Sequence, residues 1–398
     1  MSARIPPDGA PPRVCASLPL RSIIVLTAKG DAESARNAED WPRRHGIEVR
    51  VSATDEPDTV REALEVGRVD AVAAAIEAVR DAPLAALAAG LAARDRWIDY
   101  TPGPAPGVGD GCIFGRGPFS LTWALQHLMS ANAHPYERHH YGDHPDQVGD
   151  LRLPVPTPDP PHGPDPPPTP DPPPLLVLLH GGFWREPYRR DVMAPLAVDL
   201  AKRGIATWNV EYRRVGGSGG CPQTFLDVAA AIDFTRELAR SRRISAASPA
   251  VLGHSAGGHL ALWSAARRKL PPGAPGAGPS VTPSRVIAVG AVADLAAARR
   301  LHLGAGAVEA LVPSAADQGW ADPAALLPLG IPQLLVHGDR DESVPIALAR
   351  DYVHAARSAG DRVEWLCLPG VTHMPPIDPA SDAWREILAH VAPQIFRS

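Results

Sequence analysis

Cysteine is scarce in this chain of 398 residues: Cys15, Cys112, Cys221 and Cys367 stand far apart, with no CxxC pair among them. That excludes a disulfide framework and a cysteine-built zinc site, and a reducing cytoplasm suits such a chain best. Positive charge is not in excess either. The formal net charge is -5, so nucleic acid meets no basic footprint and is not expected as a partner. Long apolar runs are missing as well. The Ala-rich stretch 83–93 is broken by Arg94, and the first twenty residues carry Pro6, Pro7, Pro11 and Pro12 and no signal-peptide core, so neither a membrane segment nor an export signal is expected. What remains is an ordinary globular balance, 45% hydrophobic and 21% charged, on a chain longer than one core usually holds, and two domains follow as the expectation.

Proline is what the chain has in abundance. Of its 46 prolines, 13 fall in the 21 residues from Pro154 to Pro174. Each removes a backbone donor and fixes φ, so this segment is expected as polyproline II or disorder, with a fully extended reach of about 65 Å. Before it, strand-like runs at 22–27, 47–52, 69–75 and 96–100 alternate with helical patterns near 31–45, 56–66, 82–94 and 117–130. After it, strand-like runs recur at 175–180, 205–211, 249–253, 285–291, 332–337 and 362–368, with helices at 189–203, 222–242, 256–268, 345–359 and 380–392. Near-continuous apolar strands of this kind suit a mostly parallel sheet covered by helices on both faces. The divisions expected are a flexible 1–20, a first α/β domain over 21–131, and a second over 135–398 that holds the insertion 154–174. Residues 292–328 break the rhythm and suggest a small cap.

Four short motifs in the second half carry chemistry. Gly253-His254-Ser255-Ala256-Gly257 lies between an apolar run and a helical one. Glycines on either side let a sharp strand-to-helix turn expose a serine hydroxyl, which makes Ser255 a candidate nucleophile. His180-Gly181-Gly182-Phe183-Trp184 follows the strand 175–180 and has the form of an oxyanion loop, where fixed backbone donors meet the charge that acyl transfer develops. Gly182, Phe183 and Ala256 are the candidate donors, and His180 reads as a brace for the loop. His337-Gly338-Asp339-Arg340-Asp341 follows another strand and offers Asp341 as the acid that orients a histidine, with Asp339 as its rival. His373, in the loop after the last strand, is the candidate general base. His254, His259, His354 and His390 read as packing or surface residues. His139, His140 and His144, near Asp143 and Asp146, read as a solvated turn, and no metal site is expected.

The order Ser255, Asp341, His373, each after a separate strand, is that of the α/β hydrolases. The segments YGDHPDQVGDLRLP, LLVLLHGGFWR, NVEYRRVG, GHSAGGHLALW, HGDRDESVP and GVTH resemble the kynurenine formamidase and related esterase branch over about 141–395. The resemblance implies an α/β-hydrolase fold and cofactor-free cleavage of a small-molecule ester or N-formyl arylamide through an acyl-enzyme. It also implies that Tyr141, Phe183, Trp184 and Tyr212 line an aromatic pocket. Cys221 departs from it, standing where relatives tend to carry tryptophan. The first domain resembles type II 3-dehydroquinate dehydratase in its rhythm and in the segment CIFGRGPFSLTWALQHL, while lacking that family's active residues. This implies a flavodoxin-like, non-catalytic domain that serves regulation or assembly, the latter as a homo-oligomer. A serine peptidase and a non-catalytic interaction protein stay open as alternatives.

Overall fold

Leu176, Val177, Leu178 and Leu179 have no exposed surface, as a strand covered on both faces requires. They belong to the longer of two regions in the computed structural model, which describes residues 134–154 and 171–395 together with five short strands nearer the amino terminus. Those five are β1 (Arg13–Cys15), β2 (Ser22–Thr27), β3 (Glu48–Ala53), β4 (Ala71–Ala74) and β5 (Trp97–Asp99). Contacts divide the chain into two compact units, one of Arg13–Tyr136 with Glu186–Pro195, the other holding Glu137–Arg185 and the chain from Leu196 onward.

In the first unit, β2 to β5 form a parallel sheet in the order β3-β2-β4-β5. The second strand of that set lies outside the first and the third and fourth follow on the other side, which is how a flavodoxin-like sheet begins. The helices expected near 31–45, 56–66, 82–94 and 117–130, and the segment from Cys112 to Leu128, lie outside the described residues.

The second unit continues with β6 (Tyr136–His140), β7 (Val148–Arg152), β8 (Pro174–Leu179), β9 (Ala206–Val210), β10 (Ser245–His254), β11 (Arg285–Val289), β12 (Gln333–Gly338) and β13 (Val363–Leu368). These run side by side in the order β6-β7-β9-β8-β10-β11-β12-β13. The pairs β6–β7 and β7–β9 are antiparallel and the remainder parallel. The helices are α1 (Ala194–Lys202), α2 (Gln223–Asp233), α3 (Thr235–Ser241), α4 (Ala256–Ala266), α5 (Leu295–Arg300), α6 (Leu303–Leu311), α7 (Ala315–Ala321), α8 (Ile346–Ser358) and α9 (Asp382–Ile395). Helix α4 is buried along its whole length, which its run of Ala, Gly, Leu and Trp permits. Among the described residues no helix is long and apolar enough to cross a membrane.

One expectation is corrected here. Strand β6 pairs along β7 from Glu137↔Leu151 to His140↔Val148. His139 and His140 therefore lie on a strand and not in a solvated turn. The polar sequence YERHH hides that strand: Arg138 donates to Asp150 of β7 at 2.8 Å, and Arg242 donates to Glu137 at 2.8 Å.

Register also shows where the chain leaves β7 and where it enters β8. Arg152 pairs with Thr207, and Thr207 pairs on its other side with Leu176. The chain thus leaves β7 and enters β8 at the end of the sheet where the parallel strands begin, opposite the end where they deliver their loops.

Candidate active site

Strand β10 ends at His254 and α4 begins at Ala256, so Ser255 alone makes the turn. It does so with φ 56° and ψ -117°, a conformation rare for a residue with a side chain. Two glycines permit it. A Cβ on Gly253 would lie 2.0 Å from the Gly257 carbonyl oxygen, and one on Gly257 would lie 2.1 Å from the Leu179 carbonyl oxygen. Without those hydrogens the helix start could not close on β8 and β10. Ser255 N–H donates to Val289 O at 2.8 Å, tying the turn to β11. The Ala256 N–H sits in the first turn of α4, where unpaired amides favour negative charge.

The acid–base side is built by the loops after β12 and β13. Asp341 Oδ2 lies 2.7 Å from His373 Nδ1 and 3.3 Å from His337 Nε2. The same carboxylate accepts from the N–H groups of Ser343 at 2.9 Å and Val344 at 2.8 Å. Burial would raise the Asp341 carboxyl, but the hydrogen bonds from His337, His373 and Val344 outweigh it and hold it well below the usual carboxylate range. Asp339, the rival acid, instead accepts from Gly370 N–H at 2.6 Å and so shapes the loop that carries His373. Gly290, at the end of β11, marks how closely these parts approach: a Cβ there would lie 3.3 Å from both Asp341 Oδ2 and His373 Nδ1.

His254 belongs to this side too, a role not read from the sequence. Its Nε2 lies 3.0 Å from the His373 carbonyl oxygen, and the two rings are 4.5 Å apart. Burial, and next the neighbouring His373, push His254 down to about 3, so its ring is neutral and donates from Nε2. The available signal was its place beside Ser255, which packing explains equally well.

On the other flank, Gly182, Phe183 and Trp184 take φ 109°, 51° and 57° in succession. Three left-handed residues in a row fold the loop back on itself, with Arg185 N–H donating to Gly182 O at 3.0 Å. The loop lies against the serine turn, since a Cβ on Gly181 would be 3.0 Å from that of Ser255. The aromatic residues divide here. Phe183 is half-buried and its ring lies where a Cβ on Gly304 would come within 2.7 Å. Trp184 and Tyr212 have no exposed surface, which corrects the expectation that they line an open pocket. Trp184 meets His259 edge to face at 5.2 Å, and Tyr212 stacks on His180 at 4.2 Å. Tyr141 is buried as well, its hydroxyl donating to Glu211 O at 2.5 Å.

Residues 292–328 fold as α5, α6 and α7 beside this loop. Arg185 Nη2 donates to Gly304 O at 2.5 Å and to Ala305 O at 3.1 Å, where Gly304, Ala305 and Gly306 are all left-handed. The segment is also bound to α4, with His259 Nε2 2.9 Å from Ala321 O and Trp263 Nε1 donating to Trp320 O at 3.0 Å. Cys221 is half-buried beside it, its N–H donating to Leu311 O at 2.8 Å. Burial, reinforced by Asp317, pushes its thiol up to about 11, away from nucleophilic use. Among the described residues no group of three or more His, Cys, Asp or Glu is placed to hold a metal ion.

A family model described as BD-FAE matches residues 165–295, the part that holds the glycine loop after β8 and the serine turn. No curated protein matches the chain. Among solved structures, a truncated carbohydrate esterase from gut microbiota is 18% identical, covering 65% of this chain and 95% of its own with a TM-score of 0.52. Esterase B from Lactobacillus rhamnosis is 16% identical, covering 65% of this chain and 84% of its own with a TM-score of 0.54. A thermophilic esterase from Thermogutta terrifontis, with propionate bound, is 21% identical, covering 66% of this chain and 94% of its own with a TM-score of 0.52. With its largely parallel sheet and the serine turn at the end of β10, the second unit has the α/β-hydrolase fold.

Proposed function

We propose that the chain is a serine hydrolase that cleaves small carboxylic esters or N-formyl arylamides through an acyl-enzyme on Ser255. The observation that carries the reading is the left-handed serine between β10 and α4, with a histidine–carboxylate pair 2.7 Å apart on the loops after β12 and β13. A packed core has no use for either arrangement, and together they supply a nucleophile and its base. His373 takes the Ser255 proton as the hydroxyl attacks the carbonyl carbon, and Asp341 stabilises the resulting imidazolium and fixes the ring. The N–H groups of Gly182, Phe183 and Ala256 receive the oxyanion; each donor of this kind costs about 3–4 kcal/mol of activation energy when removed. His373 then returns the proton to the leaving group, and water repeats the sequence to release the acid. The family match over 165–295 and the esterases among the structural neighbours favour an ester over the formamide.

Turnover of p-nitrophenyl acetate by wild type and Ser255→Ala tests the reaction. Wild type should exceed the variant by at least about 10⁴-fold, and equal background rates would sink the proposal. Comparing short acyl esters with N-formylkynurenine then sorts the substrate class: hydrolysis of the esters alone removes the formamidase branch.

A further inference from the structure

The oxyanion loop is held from behind by a buried polar chain that the reaction does not touch. The Gly182 N–H belongs to the same peptide unit as the Gly181 carbonyl. The Gly181–Gly182 bond is trans, so these two groups point in opposite directions and fixing one aims the other. His180 Nδ1 lies 2.8 Å from Gly181 O. The preceding peptide is fixed in the same way, because the Tyr212 hydroxyl donates to His180 O at 2.7 Å. The His180 ring is itself immobilised: its face stacks on Tyr212 with planes 7° apart, and its Nε2 lies 3.1 Å from Glu211 Oε1. Glu211 in turn accepts from the Arg214 guanidinium and from the Tyr212 N–H at 3.2 Å. His180, Tyr212 and Arg214 are fully buried and Glu211 is 1% exposed. Burying a carboxylate and a guanidinium carries a large desolvation cost, and apolar residues would hold a plain glycine turn without it. What the polar chain adds is direction.

We infer that Glu211 and Tyr212 are positioning residues that aim the Gly182 N–H at the oxyanion, Glu211 through the His180 ring and Tyr212 through the His180 carbonyl. The inference rests on the serine-hydrolase reading above. A misaimed donor weakens binding of the transition state and leaves ground-state binding alone, so its signature is a loss in kcat that KM does not share.

Two variants test it. Glu211→Gln keeps the shape and one acceptor while removing the charge, and Tyr212→Phe keeps the stacked ring while removing the hydroxyl. Each is measured for p-nitrophenyl acetate turnover, for inhibition by a short-chain trifluoromethyl ketone, whose adduct with Ser255 carries the oxyanion, and for melting temperature. For Glu211→Gln, kcat should fall about 10- to 100-fold, with KM little changed and the ketone's inhibition constant rising by a similar factor. Tyr212→Phe should move both readouts the same way and less far. Folded variants that keep wild-type kcat and ketone affinity overturn the inference, as does a rise in KM with kcat unchanged. If Glu211→Gln does not fold, Tyr212→Phe decides on the same two readouts. A wild type that neither turns over the ester nor binds the ketone sinks the hydrolase reading and the inference with it, whereas an active wild type with indifferent variants sinks the inference alone.

Discussion

The two ends of the large sheet are used in opposite ways. At the carboxyl ends of β8, β10, β12 and β13 stand the loop of Gly181 and Gly182, Ser255, Asp341 and His373, each on a short connection with fixed hydrogen bonds. At the amino ends the chain passes from Arg152 to Pro174 through the proline tract, across a gap filled by the single strand β9. Parallel strands deliver their loops to one end, where several converge, and there a change of one residue alters chemistry. At the other end a connection has only to close its two strands, and length is tolerated.

The contrast can be broken at either end. The largest effect should come from Asp341→Asn or His373→Ala, each lowering kcat about 10³- to 10⁴-fold with the melting temperature little changed; steady-state kinetics beside thermal denaturation checks it. Gly257→Ala should act on the fold itself. Its Cβ would meet the Leu179 carbonyl at 2.1 Å, a backbone atom with nowhere to move, so destabilisation of about 3 kcal/mol or more is expected in urea denaturation. His254→Ala should be milder, about 10-fold in kcat, since it removes one tether of His373 and no group that moves a proton. At the amino end, replacing 155–170 by a short Gly-Ser linker should change kcat/KM by less than about 2-fold, because the strands to be joined lie about 10 Å apart, two strand spacings across β9. A large loss there would show that the tract reaches the chemistry after all.

Acid adds a test by stability. Burial pushes His259 down to about 4 and His254 to about 3, whereas both take up a proton near 6.5 when unfolded. Between those values the unfolded chain binds more protons than the native one, so stability falls as pH drops from about 6.5 towards 4. His259→Gln, which keeps a donor for Ala321 O, should therefore lose less melting temperature than wild type between pH 7 and pH 5.

Much of this site was legible because its residues sit in motifs tied to the alternation of strand and helix. Gly253 and Gly257 announce the turn at Ser255, and the apolar runs at 285–291, 332–337 and 362–368 lie close to β11, β12 and β13. What stayed hidden depends on partners far along the chain. Strand β6 was obscured because Arg138 is satisfied by Asp150 across the sheet and Glu137 by Arg242. Trp184 and Tyr212 pass equally well as pocket walls until their packing against His259 and His180 is seen. His254 and Glu211 had no distinguishing pattern, since a buried hydrogen bond leaves no periodic trace.

The grip of Arg185 on Gly304 and Ala305 has a consequence for how selectivity can change. The segment 292–328 and the loop expected to stabilise charge are not independent modules: Phe183 and Arg185 belong to the loop and rest on the segment at Gly304 and Ala305. A lineage that reshaped 292–328 for a bulkier substrate would tug on the loop of Gly182 and Phe183 at the same stroke. Substrate range and turnover would then drift together, and widening one without dulling the other would call for a compensating change at the left-handed run 304–306.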